Sequence, residues 1–189
     1  MEDIMRSLIT MLVAIILLTP LTAGGGENSL GIYAGGFFPT GDEAKWIDPS
    51  PNFGVLLIRG IKPRWDFKAD LMFSPVFDGT ETNQLQFTAT AGWRYFLSPI
   101  KQRHPYVGFG VGLMRFSSEQ KGSYPWYYSA QHYASYTGIS VATDAGFTIP
   151  VWAGVDLDVN FKTLFNIPVK KEASNTLQFL FSSGVNFSL

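Results

Sequence analysis

The chain has 189 residues, a one-domain length, with no cysteine and two histidines, His104 and His132. Neither a disulfide framework nor a thiolate metal site is possible, and no cofactor is expected. Setting aside Glu2, Asp3 and Arg6 in the first 23 residues, acids and bases number 13 each, so the chain carries no basic footprint for nucleic acid.

The first segment reads as a targeting leader. Arg6 begins a cationic region, an apolar run follows from Leu8 to Leu18, and Leu21-Thr22-Ala23 places small residues where cleavage is expected. That run is too short to cross a hydrocarbon core, which takes roughly 20 helical residues. Residues 1–23 are therefore expected to be a signal peptide and residues 24–189 one folded domain. Glu2 and Asp3 are unusual in such a region and make Met5 an alternative start.

The mature part alternates. Leu30, Ile32, Ala34 and Phe38 interleave with Gly31, Tyr33 and Gly35. Between residues 53 and 60 the run Leu56-Leu57-Ile58 breaks the alternation and leaves Arg59 unplaced. The third segment is clear: Trp65, Phe67, Ala69, Leu71 and Phe73 oppose Asp66, Lys68, Asp70 and Ser74. In the fourth, Leu85, Phe87, Ala89, Ala91, Trp93 and Tyr95 oppose Gln86, Thr88, Thr90 and Arg94. Next, Val107, Phe109, Val111 and Leu113 interleave with Gly108, Gly110, Gly112 and Met114, and Ile139 to Ile149 alternates against Ser140, Ala142, Asp144, Gly146 and Thr148. The seventh, Trp152 to Ile167, sets Ala153, Val155, Leu157, Val159, Phe161 and Phe165 against Gly154, Asp156, Asp158, Asn160 and Lys162. The last sets Leu177, Phe179, Phe181, Val185, Phe187 and Leu189 against Gln178, Ser182, Gly184, Asn186 and Ser188. A period of two is the strand signature, whereas a helix would scatter the same residues around its circumference.

The segment at 53–60 is counted as a strand because an odd number would leave the termini on opposite sides of a membrane. Long polar connections fall near 40–52, 75–83, 117–135 and 167–175, and short ones near 61–64, 98–104 and 149–152, marked by Pro63, Pro99 and Pro150. Alternation of long loops with short turns is a property of outer-membrane barrels. The expected fold is all-β: an eight-stranded antiparallel up-and-down transmembrane β-barrel with both termini at the short-turn end.

Periodicity does not say which face is inside, and a soluble lipocalin-like carrier would alternate in the same way. The polar face carries Asp66, Lys68, Asp70, Arg94, Asp144, Asp156, Asp158 and Lys162, five acids and three bases that can neutralise one another in a lumen. The opposite face carries bulky Phe, Leu, Val and Trp, which would overfill an eight-stranded interior only just wide enough for side chains. Glycines at 108, 110 and 112 leave room inside for long polar groups. An apolar exterior and a polar lumen are expected. Trp65, Trp93, Tyr95, Tyr106, Trp152 and Phe187 are expected to form one aromatic girdle, and Phe37, Phe38, Phe53 and Phe73 the other.

Two sequence stretches carry a resemblance. Gly184-Val185-Asn186-Phe187-Ser188-Leu189 resembles the C-terminal assembly signal of outer-membrane proteins, in Gly184, Phe187 and terminal Leu189. Ala91-Gly92-Trp93-Arg94-Tyr95-Phe96 with Pro105 to Gly112 resembles the midsection of the OmpA/OmpX-like β-barrel family. That resemblance implies the outer membrane of a Gram-negative bacterium. The partners expected with it are barrel-assembly machinery and periplasmic chaperones during biogenesis, then outer-membrane lipid and lipopolysaccharide around a monomer.

Catalytic signals are sparse. A serine hydrolase needs a histidine near a serine, oriented by a carboxylate; His132-Tyr133-Ala134-Ser135 is the one candidate, its spacing differs from the His-x-Ser of lipid A deacylases, and Glu119 is the nearest loop carboxylate. No enzyme is expected; a lipid A-modifying enzyme and a narrow ion or solute channel are the alternatives. His104 beside Lys101 and Arg103, and Asp42, Glu43 and Asp48 around Lys45, read as solvated charge. The longest loop mixes Tyr124, Trp126, Tyr127, Tyr128, His132 and Tyr133 with Ser, Gln and Gly, a composition that suits a recognition surface.

Overall fold

The computed structural model describes residues 28–41, 48–76, 83–98, 104–119, 136–169 and 175–189. Residues 1–23, expected to be a leader, and the aromatic loop residues 124–133 lie outside the described residues. Eight strands follow one another: β1 (Asn28–Pro39), β2 (Ser50–Lys62), β3 (Trp65–Val76), β4 (Asn83–Phe96), β5 (His104–Glu119), β6 (Tyr136–Trp152), β7 (Val155–Pro168) and β8 (Thr176–Ser188). Each pairs antiparallel with its sequence neighbour, and β8 closes onto β1. Closure removes both sheet edges, so every ladder group has a neighbouring strand to bond. Past the end of β8 the Leu189 amide still donates to the Asn28 carbonyl at 2.8 Å.

Burial alternates residue by residue along β6 and β8. Ile32, Phe53, Val111, Phe147, Phe161 and Phe181 are more than half or nearly half exposed, while Lys68, Asp70, Arg94, Asp144, Asp158 and Lys162 are buried. The molecule is therefore inside out relative to a soluble barrel, as the crowding argument requires. The ambiguous second segment is regular after all. Asn52, Gly54 and Ile58 face in and Phe53 and Val55 face out. Arg59, level with outward Phe67, shares their side. The polarity pattern is blurred there because the lumen accepts the apolar side chain of Ile58, which is buried.

Several sequence-based boundaries move. The strand expected from Trp152 begins at Val155, because Ala153-Gly154 form the turn; Gly154 has φ +77°, a conformation open chiefly to glycine. Its carbonyl accepts from the Ser188 amide at 2.8 Å. Pro150 is accordingly not in that turn but within β6, where the register slips between Pro150 and Trp152. Residues 50–52 belong to β2 and 75–76 to β3, so those loops are shorter than expected. The connection between β4 and β5 covers residues 97–103, as long as the 169–175 connection, so lengths do not alternate strictly.

The girdles also need two corrections. Trp65, Trp93, Trp152 and Phe187 are exposed at the turn end, with Trp65 packed 4.9 Å from Tyr95. Phe38 and Phe53 are exposed at the loop end. Tyr106 and Phe37, however, are buried in the lumen at 3% and 0% exposure. Each shares the parity of its strand's inward glycines, Gly108 to Gly112 and Gly31 to Gly35, and parity decides the side.

Candidate functional site

The lumen is where polar side chains converge, and it is built in layers. Nearest the turn end, Arg94 of β4 is held by acids from two strands. Its Nη2 donates to Asp66 Oδ2 of β3 at 2.9 Å and its Nη1 to Asp158 Oδ2 of β7 at 3.0 Å. The guanidinium carbon lies 4.9 Å from the Phe96 ring centroid and 4.7 Å from that of Tyr106, so the cation sits against both rings, which meet edge to face beside it. Asp158 also accepts from the Tyr106 hydroxyl at 2.7 Å and the Thr148 hydroxyl at 3.2 Å.

One level further in, β3 reaches the far wall twice. Lys68 pairs with Asp144 of β6, and Lys162 of β7 pairs with Asp70. The Tyr33 hydroxyl donates to Asp70 at 2.5 Å. Asn160 links the two levels, donating to the Tyr106 hydroxyl at 2.9 Å and to Asp144 at 3.2 Å. The most buried of these charges are Asp70, Asp144 and Asp158 against Lys68, Arg94 and Lys162, so three acids meet three bases. Such balance is what a low-dielectric interior demands. Asp66, 14% exposed in its side chain, and half-buried Asp156 stand nearer the mouth; Asp156 is level with Pro150 and Asn186 in register.

Glycine makes room for the large groups. Tyr33 has Gly54 opposite it on β2 and Gly184 opposite it on β8, and a Cβ at either would collide with its side chain. The ring can therefore lie across its neighbours and reach Asp70. Gly184 thus has a packing role, while Phe187 and Leu189, which with it carry the resemblance to an assembly signal, are exposed on the outside. The charged layer leaves a cavity of about 30 Å³ lined by Tyr33, Lys68, Arg94, Asp144, Asp158 and Lys162 among others. That is room for about two waters.

An apolar septum that the sequence reading missed lies next along the bore. Phe37, Met72, Ala142, Leu164 and Leu180, all buried, pack together against Tyr33. Beyond it comes an amide layer. Gln86 of β4 and Gln178 of β8 exchange two hydrogen bonds of 2.8 and 3.0 Å across the bore. Asn166 donates to Gln178 at 2.8 Å and accepts from Ser140 at 2.5 Å. Met114, Phe116 and Tyr136 form a second apolar cluster, with the latter two rings stacked at 5.3 Å. The parity of Met72, Leu164 and Leu180 with the polar face was the available signal for the septum.

The amide pair has a measurable signature. Gln86→Leu removes both hydrogen bonds of the pair while Asn166 still donates to Gln178, and should cost about 1–3 kcal/mol. Gln178→Leu also removes an acceptor of buried Asn166, and the double variant Gln86→Leu/Gln178→Leu should lose less than the sum of the two single variants. Urea unfolding of the three variants beside the parent checks it; additive single losses would mean the pair is not coupled.

Of the residues singled out by sequence, Asp66, Lys68, Asp70, Arg94, Asp144, Asp158 and Lys162 form the ion pairs above, and Asp156 stands at the mouth of the same lumen. Tyr124, Trp126, Tyr127, Tyr128, His132 and Tyr133 are outside the described residues, as is Ser135. His104 opens β5 opposite Thr148. Among the described residues no three metal-ligating side chains converge.

Closed, eight-stranded, apolar outside and ion-paired inside, the chain has the architecture of the small OmpA/OmpX-like outer-membrane β-barrels. No family model matches its sequence, and comparison with curated proteins gives no match either. Among solved structures it is similar to Neisserial surface protein A (NspA), with a TM-score of 0.71 at 16% identity over 88% of this chain and 100% of that one. It is also similar to Ail, the attachment invasion locus protein of Yersinia pestis, in a complex with the heparin analogue sucrose octasulfate (TM-score 0.59, 14% identity, 87% and 99% covered). A third is the outer membrane protein OprG of Pseudomonas aeruginosa (TM-score 0.55, 13% identity, 88% and 98% covered).

Proposed function

We propose that this chain is a monomeric barrel of a Gram-negative outer membrane, exported by residues 1–23, with a structural or surface-interaction role and a lumen that does not conduct. The observation that carries it is the bridging of the bore by side chains from opposite walls. Lys162 pairs with Asp70 and Gln86 with Gln178, with a buried apolar cluster between those layers. An ion entering from the turn end meets the septum after the charged layer and would have to shed its water there. The exposed apolar belt supports immersion in lipid, since unpaired apolar surface on this scale is unfavourable in water.

The test is conductance of the refolded barrel in planar bilayers. Silence under conditions in which general porins conduct is the expected result, and discrete channel steps would overturn the closed lumen. The aromatic loop residues Tyr124, Trp126, Tyr127, Tyr128, His132 and Tyr133 are the recognition candidates of this reading, resting on composition. A lipid A-modifying activity through His132 and Ser135 is the competing reading. Identical lipid A acylation in cells with and without the protein would remove it.

A further inference from the structure

Two lysines meet aspartates in the charged layer, and their surroundings differ. Lys162 of β7 and Asp70 of β3 reach each other across the bore, and both side chains are buried. The two oxygens of Asp70 are used separately: Lys162 takes Oδ2, and the Tyr33 hydroxyl donates to Oδ1 at 2.5 Å. On Asp144 both donors, Lys68 and Asn160, share Oδ2, and Oδ1 has no hydrogen-bond partner among the described residues. Asp144 is level with Lys162 on the neighbouring strand, and such register partners hold their Cβ atoms about 5 Å apart. Apolar Met72 and Leu164 of the septum are the next inward residues after Asp70 and Lys162. Tyr33, Asp70, Asp144 and Lys162 all line the cavity of about 30 Å³.

A primary amine and a carboxyl group so placed can condense to an amide. Passing one proton within the pair converts two buried charges into a neutral amine and a neutral acid, the reactive forms. Nζ of Lys162 then attacks Cγ of Asp70, and negative charge develops on Oδ1, where the Tyr33 hydroxyl already donates. Oδ1 of Asp144 accepts the proton that Nζ sheds and returns it to Oδ2 of Asp70. The Cγ–Oδ2 bond breaks as the Cγ–Nζ bond forms, one water leaves into the cavity, and no oxidant or other reactant is consumed. Holding both groups in one fold replaces an encounter in solution, and the effective concentration of a well-oriented pair can reach about 10⁵ M, which favours the amide.

We propose that Lys162 and Asp70 form an isopeptide bond that staples β7 to β3 through the lumen, with Tyr33 and Asp144 as its catalytic residues. The Lys68–Asp144 pair has no donor on its second carboxylate oxygen among the described residues and stays ionic.

The test follows mature chain that has never been folded. Inclusion-body protein is dissolved in urea, folded into lipid vesicles, sampled over time and read by intact mass after renewed denaturation. The parent should lose the mass of one water after folding, and a protease digest should hold the peptides of Asp70 and Lys162 joined. Tyr33→Phe keeps the ring and should slow the conversion about a hundredfold, the effect of removing one oxyanion donor. Lys162→Arg keeps the ion pair without the nucleophile, and Lys162→Met/Asp70→Leu removes both charges; each should fold and keep its full sequence mass. Folding is read separately from the heat-induced gel shift. A folded parent at full sequence mass overturns the bond, as does water loss without the joined peptides. Water loss from folded Lys162→Arg, or an unchanged rate in Tyr33→Phe, overturns the assignment of the reacting groups.

Discussion

Arg94→Ala should destabilise the barrel by roughly 3–5 kcal/mol, the cost of breaking a buried ion pair by removing one partner. Two carboxylates, Asp66 and Asp158, lose their shared cation at once, and Asp158 is 6% exposed. Neither Thr148 nor Tyr106 can replace it, because each already donates its one hydroxyl proton to Asp158. The rings of Phe96 and Tyr106 lose the cation they pack against. Arg94→Lys should fall between parent and alanine, since a single ammonium lacks the rigid fork that spans two acids. Adding Asp66→Asn and Asp158→Asn to Arg94→Met should recover much of the loss, because no uncompensated charge then remains. Urea unfolding in lipid vesicles, followed through the five tryptophans, measures this directly. A loss under about 1 kcal/mol, typical of a solvated pair, would mean that the layer is open to water.

Phe37→Ala should cost about 3–5 kcal/mol, the usual range for deleting a fully buried aromatic ring. Phe37 is 0% exposed in the septum and packs with Met72, Leu164 and Leu180. Its removal leaves a cavity that the closed wall cannot collapse to fill. The adjacent Phe38 is the control. It faces outward at 46% exposure, so Phe38→Ala forfeits only transfer energy of about 1–2 kcal/mol, and mobile lipid chains fill the space. Phe37→Leu should keep most of the stability because it nearly conserves volume and apolarity. Equal losses at positions 37 and 38 would contradict the assignment of the two rings to opposite faces.

That contrast shows where sequence reading succeeds and where it stops. Strand number, closure and the inward placement of Asp70, Arg94, Asp144 and Lys162 follow from period-two alternation and the volume of an eight-stranded bore. Phe37 and Tyr106 were misassigned because aromatic character was weighed above parity, although each alternates in phase with the inward glycines. The septum escaped for a related reason. Met72, Leu164 and Leu180 look like noise on a polar face until the strands are wrapped into a ring and their levels coincide. Which charge meets which was not legible at all. Asp144 stands in register with Lys162 on the next strand, yet Lys162 crosses the bore to Asp70 and Asp144 takes Lys68. That exchange depends on barrel diameter and stagger, which no single strand encodes.

The central claim, a membrane-spanning barrel with its turn end inside the cell envelope, can be tested through a property of the sequence itself. The chain has no cysteine, so a single introduced thiol reports its own location. Asp48→Cys places one at an exposed position at the loop end, and Ala153→Cys places one in the turn between β6 and β7. Intact cells are treated with a membrane-impermeant maleimide, and membrane and soluble fractions are then separated. Membrane-bound protein should be labelled at residue 48 in intact cells and at residue 153 only after the outer membrane is permeabilised. Labelling of Ala153→Cys in intact cells, or recovery of the folded chain in the soluble periplasmic fraction, would contradict it.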